Sequence, residues 1–207
     1  MEYESLNTLT DYLGVTEKRF RELIDSAGDI FHYAETATRG NDYWQVSQPE
    51  FRLIFAIAAA MKAEKIAETG VGPGTTSTAF LEAMEPFDGR LYSFDLGRKY
   101  GNSDEKPVGF VVPVNLRGRW TLTLGNSRET LEPGLEKYGP FDIFMHDSEH
   151  TYDHVTFELN AAMKHMKERF IIVVDNYNWT KAPEDFASSN GLRLIHPIDD
   201  MCLIFRE

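Results

Sequence analysis

Five short apolar runs, each closed by a polar or glycine-containing turn, alternate with longer stretches of helical period. The runs are Lys65–Thr69, Leu91–Phe94, Trp120–Leu124, Phe141–Met145 and Phe170–Val174, the length of buried strands. Between them helices are predicted over about Thr75–Met84, after Gly125-Asn126-Ser127 to about Tyr138, and over about Tyr152–Lys167. Strands alternating with helices build a mostly parallel sheet with helices on both faces. Two last apolar runs, Leu192–Ile195 and Met201–Phe205, are separated by Pro197-Ile198-Asp199-Asp200 and predict an antiparallel hairpin at one sheet edge. The expected class is α/β, a doubly wound, mostly parallel seven-stranded sheet with an antiparallel C-terminal strand hairpin.

Upstream of the first strand, Ser47 opens a helix with Pro49 near its first turn and Glu50 three residues after the cap. The following FRLIFAIAAAMKA is apolar nearly all round, as expected of a helix buried against a sheet. Thr16–Ala27 places Phe20, Leu23 and Ile24 on one helical face, with Thr16 as N-cap and Gly28 as stop. Asp29–Val46 carries Phe31, His32, Tyr33, Tyr43 and Trp44 without clear period, so these rings are expected to line a pocket or pack beneath a cover. Residues 1–46 thus read as an N-terminal helical segment, packed on the body or closing over it as a lid, and 47–207 as the main domain. Leu96–Arg119 is irregular around the apolar island Val108–Val114, and a loop of that length is functional or mobile. With no repeat or linker, 207 residues make one domain overall.

Charge narrows the partners. With 33 acidic against 21 basic residues, the chain lacks the basic footprint that a nucleic-acid substrate requires. Its single cysteine, Cys202, cannot form an internal disulfide, which fits a reducing, cytoplasmic setting. No signal-peptide h-region and no run near the ~20 apolar residues of a membrane span is visible. Homo-oligomerisation is compatible with a small enzyme of this kind.

The chemistry gathers at the ends of the predicted strands, where ligands of such sheets bind. The first strand runs into E-T-G-V-G-P-G-T-T, with Gly70, Gly72 and Gly74 at alternate positions. A glycine turn between a strand and a helix N-terminus lets a nucleoside-like ligand approach the backbone. The dinucleotide fingerprint is G-x-G-x-x-G; here the third glycine comes one residue early, behind Pro73, which counts against a nicotinamide-dependent oxidoreductase. Glu68, Asp95, Asn126, Ser127, Asp147 and Asp175 close the successive strands. Asp95 is placed to accept ribose hydroxyls, although each of these residues can equally be a turn or cap residue. His146, His150 and His154 recur at intervals of four, yet His146 falls at a strand end, which argues against a three-histidine zinc site on a helix face.

The glycine motif with Asp95 closing the next strand and a terminal hairpin resembles the class I S-adenosylmethionine-dependent methyltransferases, over nearly all of Ser47–Phe205. The resemblance implies a Rossmann-like fold. It also implies that Glu68, Gly70 and Gly72 hold the amino-acid end of S-adenosylmethionine, with Gly74 in the same cofactor-binding turn, that Asp95 holds the ribose, and that Asn126 and Ser127 lie near the adenine. A second match, HDSEHTYD over His146–Asp153 followed by VVDNYNW, is similar to the metal-dependent sugar and small-molecule O-methyltransferase subgroup. It implies His150 as general base, Asp147, Asp175 and Asn176 as ligands of a Mg2+-type ion, and a hydroxylated small molecule as methyl acceptor. This sequence departs from that pattern at Ser148-Glu149 and at Asn176, which replaces an acidic residue; hard cations prefer charged oxygen.

The residues make chemical sense beside the resemblance. Displacement at a sulfonium methyl needs donor and acceptor held in line, and a hydroxyl needs a base such as His150 or a nearby cation. Asp147, His150 and Asp175 sit where adjacent strand ends can converge on one acceptor oxygen. A third reading is a non-catalytic cofactor-binding module, for which Asn176 is the only support. Sugar and aromatic acceptors fit equally.

Overall fold

The computed structural model describes residues 3–39, 45–97, 106–198 and 200–207; Tyr43 and Trp44, expected to line a pocket, lie outside the described residues. Seven strands form one sheet: β1 Lys65–Thr69, β2 Arg90–Asp95, β3 Trp120–Leu124, β4 Phe141–His146, β5 Met166–Asp175, β6 Arg193–Ile198 and β7 Met201–Phe205. Their order is β3-β2-β1-β4-β5-β7-β6. The first five run parallel, and β7 pairs antiparallel with both β5 and β6. The order steps outward from β1 in both directions, so the ends of β1 and β4 flank the switch point where such sheets bind ligands.

Alternation along each strand divides the core between two faces. Ile66, Leu91, Ile143, Met145, Ile171, Val173, Leu203 and Phe205 face one apolar cluster. Ala67, Tyr92, Phe94, Phe144, Ile172, Val174, Cys202 and Ile204 face the other. The first face is covered by α4 (Gln48–Met61) and α5 (Thr75–Met84), the second by α6 (Ser127–Tyr138), α7 (Tyr152–Met163) and α8 (Ala182–Ser189). Helix α4 starts as expected: Ser47 and Glu50 form a capping box, the Ser47 N–H donating to Glu50 Oε2 at 2.6 Å, with Pro49 in the first turn. Its end is a left-handed Lys62.

The N-terminal segment is helical, as α1 (Tyr3–Leu13), α2 (Glu17–Ser26) and α3 (Gly28–Thr38). Thr16 caps α2, accepting from the Arg19 N–H at 3.2 Å. Leu6, Leu9, Leu13, Phe20 and Phe31 share one core cluster with α4 and the sheet, which ties this segment to the body. The Tyr12 hydroxyl donates to the Phe170 carbonyl at 2.8 Å and accepts its N–H at 3.0 Å.

Several elements differ from expectation. Helix α3 occupies a stretch that showed no clear period, since only Phe31, Ala34 and Thr38 of it are buried. Gly28 opens α3 rather than simply ending α2, because the two helices meet at Ala27. Helix α7 stops at Met163 instead of Lys167, since Met166 already pairs with Phe141 in the sheet. Helices α1 and α8 were not signalled by a sequence pattern. Within the irregular loop, Val111, Val112 and Leu116 are buried, so its described part is anchored to the body.

Candidate active site

Strand β1 delivers the chain into the glycine turn. Gly70 (φ +78°) and Gly74 (φ +96°) adopt left-handed backbone that favours glycine. A Cβ at Gly70 would lie 1.7 Å from the Asp147 carbonyl oxygen. One at Gly74 would lie 2.8 Å from Gly109 Cα. The turn is therefore pressed against the end of β4 on one side and the 109–112 segment on the other. That segment is hydrogen-bonded to it: Gly109 N–H donates to the Gly72 carbonyl and Val111 N–H to the Pro73 carbonyl, both at 2.9 Å.

Two acids predicted to touch a cofactor have defined partners below the turn. Asp95 Oδ2 accepts the Val71 and Gly72 N–H groups at 2.9 and 3.2 Å, and Oδ1 accepts Gly97 N–H at 2.7 Å. It ties β2 to the glycine turn, and a carboxylate's roughly four lone-pair sites leave it capacity for a further donor. Glu68 is fully buried; its Oε1 accepts the Ser77 and Ser93 hydroxyls, while Oε2 has no partner. Burial raises the Glu68 carboxyl to about 7 against the pull of those hydroxyls.

A cleft of about 490 Å³ opens beyond the strand ends. Its walls include Gly70–Pro73, Thr75 and Thr76 of the glycine turn and α5, together with Asp147, His150, Asp175, Asn176 and Trp179. Gly74, Glu68, Asp95, Asn126 and Ser127 are not part of that wall. Asn126 caps α6, accepting the Arg128 N–H at 3.0 Å, and the Ser127 hydroxyl meets His154 Nε2 at 3.1 Å. A second cavity of about 410 Å³, lined by Pro49, Glu50, Ile198 and Asp200, also reaches Asp175 and Asn176.

Asp147, His150 and Asp175 offer ligand atoms that all lie within 4.8 Å of one another. They converge because β4 and β5 are parallel neighbours, with His146 level with Val174. His150 Nε2 stands 3.8 Å from Asp147 Oδ1, and Asn176 Nδ2 donates to Asp175 Oδ2 at 2.6 Å. Asn176 holds left-handed backbone, φ +49°. Burial and the neighbouring Asp175 charge push the Asp147 carboxyl well above its usual range. Burial, then the Glu50 charge, raises Asp175 to about 7. Burial and the nearby His146 lower His150 to about 4, so its imidazole is neutral at neutral pH. Two repelling acids beside a neutral imidazole are suited to a cation and to accepting a proton.

Behind this cluster lies a residue the sequence reading missed. Glu158, on α7, is fully buried. It accepts from Thr69 Oγ1 (2.5 Å), His146 Nδ1 (2.7 Å), Ser148 Oγ (3.0 Å) and His154 Nε2 (2.8 Å). Burial pushes its carboxyl up, but the bonds from His146 and His154 outweigh that and hold it well below the usual range. Its spacing from the histidines, four after His154, was the available signal.

An open doubly wound sheet with a glycine turn at its switch point is the architecture of nucleoside-cofactor enzymes, and here an acid–histidine cluster lines the same cleft. The chain belongs to the methyltransferase domain family, whose model matches residues 67–177. The O-methyltransferase TomG of Streptomyces achromogenes, solved with SAM, has a similar fold: TM-score 0.64, 18% identity, covering 86% of this chain and 89% of that one. An O-methyltransferase from Bacillus cereus, solved with SAH, gives TM-score 0.60 at 15% identity, over 97% of this chain and 96% of the other. MycE, of the mycinamycin biosynthetic pathway, was solved with Mg, SAH and mycinamycin VI. It gives 0.58 at 16% identity, over 85% of this chain and 53% of MycE. No curated protein matches the sequence. No helix among the described residues is long and apolar enough to cross a membrane.

Proposed function

We propose that this methyltransferase transfers a methyl group from S-adenosylmethionine to a hydroxyl of a small molecule, with His150 as the general base. The observation that carries this reading is the convergence of Asp147, His150 and Asp175 on the cleft that the glycine turn also lines. Its roughly 490 Å³ suits a small-molecule site. Gly70, Gly72 and the α5 N-terminus at Thr75–Thr76 cradle the donor, and Asp95, with unused acceptor capacity, serves its ribose. Glu68 supports the turn from below, Gly74 lets the 109–112 segment close against it, and Asn126 and Ser127 bound the adenine end.

When bound, the sulfonium donor supplies an electrophilic methyl carbon: the acceptor oxygen forms the new C–O bond as the C–S bond breaks, leaving S-adenosylhomocysteine. His150 Nε2, on the cleft side, takes the hydroxyl proton. Trp179, 63% exposed with its ring 5.3 Å from that of His150, offers the acceptor a face to stack on. Calorimetric titration with S-adenosylhomocysteine tests the reading. Binding in preference to NAD is expected, and no heat at millimolar concentration would remove it.

The donor set fits a hard divalent cation. Asp147 and Asp175 would hold it, Asn176 joining them only if its amide, whose nitrogen here donates to Asp175 Oδ2, turned its oxygen inward; when bound the ion would supply a positive charge that acidifies the acceptor hydroxyl. This gives a pH-dependent expectation. The Asp175 carboxyl rises from 3.8 to about 7 on folding, so the folded state keeps a proton that the unfolded chain has released between those values. Its contribution is therefore full at low pH and is lost as pH rises through about 7. A cation that replaces the proton should restore stability at pH 8 and do little at pH 5. With Mg2+ at 100 times its Kd, the gain is ~2.7 kcal/mol, a rise in Tm of about 5–10 °C. An equal shift at both pH values would count against these ligands.

A further inference from the structure

The second cavity shares Gln45, Val46, Asp175 and Asn176 with the cleft that holds the acid–histidine cluster. A molecule seated in one therefore reaches into the other. At about 410 Å³ the second cavity has the size of a small-molecule site in its own right. Glu50, Asp175 and Asp200 bring three carboxylates to its walls, and no lysine or arginine lines it among the described residues. Carboxylates that face one enclosed space without a counter-charge repel one another, and a cationic ligand complements them.

Two of these acids are held in place. Glu50 Oε2 accepts the Ser47 N–H within the α4 capping box. Asp200 Oδ1 accepts from Asn178 Nδ2 at 2.9 Å, and its carbonyl accepts the Tyr177 N–H at 3.2 Å. With roughly four lone-pair sites on a carboxylate, each keeps room for a ligand's donors. They do not form a metal cage. Among the described residues, the one trio of ligand atoms within 4.8 Å of one another is that of Asp147, His150 and Asp175. Glu50, Asp175 and Asp200 are thus spread too widely to chelate one small ion. An alkylammonium, with three donors and no acceptor, suits acids set apart around a cavity.

We propose that the second cavity is a specificity subsite for the methyl acceptor and takes a protonated amine, so that the substrate is a hydroxylated amine. Glu50 and Asp200 are the specificity-determining residues. The ammonium docks on them, and the hydroxyl of the same molecule extends past Asn176 to His150. A protonated amine has no lone pair with which to attack a methyl carbon. The charge therefore orients the molecule, and oxygen remains the atom methylated. This deepens the reading of the site as one for O-methylation and rests on it.

The test is a ligand-observed NMR titration of the full chain saturated with S-adenosylhomocysteine. Two pairs of probes differ in one group each: tyramine against tyrosol, and glucosamine against glucose. Millimolar Mg2+ is present throughout, so that an ammonium does not merely take an ion's place at Asp147 and Asp175. In at least one pair the aminated member should bind about 10-fold or more tightly, the scale of a hydrogen bond to a charged group. Glu50→Gln keeps an oxygen for the capping bond, and Asp200→Asn keeps Oδ1 for Asn178. Together they should equalise that pair and leave binding of the neutral member and of S-adenosylhomocysteine unchanged. A preference below that size in both pairs, binding by no probe, or a preference that survives the double substitution would overturn the proposal and leave the methyltransferase reading standing. Failure of S-adenosylhomocysteine itself to bind would overturn both.

Discussion

Gly70→Ala is expected to abolish S-adenosylhomocysteine binding and to cost ~3–5 kcal/mol of folding stability, at the extreme of what single substitutions do. The new Cβ would fall 1.7 Å from the Asp147 carbonyl oxygen, a backbone atom that cannot swing aside. That backbone is itself pinned, since Asp147 N–H donates to the Thr69 carbonyl at 3.0 Å. Relief requires parting the end of β4 from the turn after β1, which opens the cleft wall. The left-handed backbone adds about 1–2 kcal/mol for a residue with a side chain. Gly118→Ala is the matched control, because nothing lies within 4 Å of its added Cβ. Urea denaturation reads the stability difference and calorimetry the binding loss. A stable Gly70→Ala protein that binds normally would show that the turn is not the donor's cradle.

His150→Ala should reduce kcat by about 10²–10⁴-fold, the usual contribution of a general base, with little change in S-adenosylhomocysteine affinity. The side chain lines the cleft beside Asp147 and is 13% exposed. Its removal leaves Asp147 and Asp175 in place, so Mg2+ should still raise Tm at pH 8. Single-turnover methylation of a panel of hydroxylated sugars and phenols separates these effects. A parallel loss of donor affinity would mean that His150 shapes the whole cleft.

The strands were legible because buried parallel strands leave continuous apolar runs, and the polar residue ending each run marked the ligand side of the sheet. The same rule brings Asp147, His150 and Asp175 together at neighbouring strand ends. It worked less well where a residue's environment is set by distant parts of the chain. Glu158 looks like one more acid on an amphipathic helix; only the fold brings Thr69, His146 and Ser148 to it. Asp95 and Asn126 show the opposite case. Their positions were readable, but backbone amides contact them directly, and periodicity carries no information about such hydrogen bonds. Helix α3 was hidden because its buried positions include a threonine and an alanine among polar neighbours.

Strand β7 is the last strand of the sheet to be synthesised, yet it lies inside, with β5 on one flank and β6 on the other. All five of its residues are buried. Until residue 205 has left the ribosome, β5 is an open edge on the side where Asp175 will pair with Met201. A nascent chain can complete the glycine turn with β1, β2 and β4 while the opposite wall of its cleft still lacks a neighbour. Chains interrupted before that point would carry the glycine turn without a finished wall at Asp175, and would expose a strand edge open to pairing with other chains.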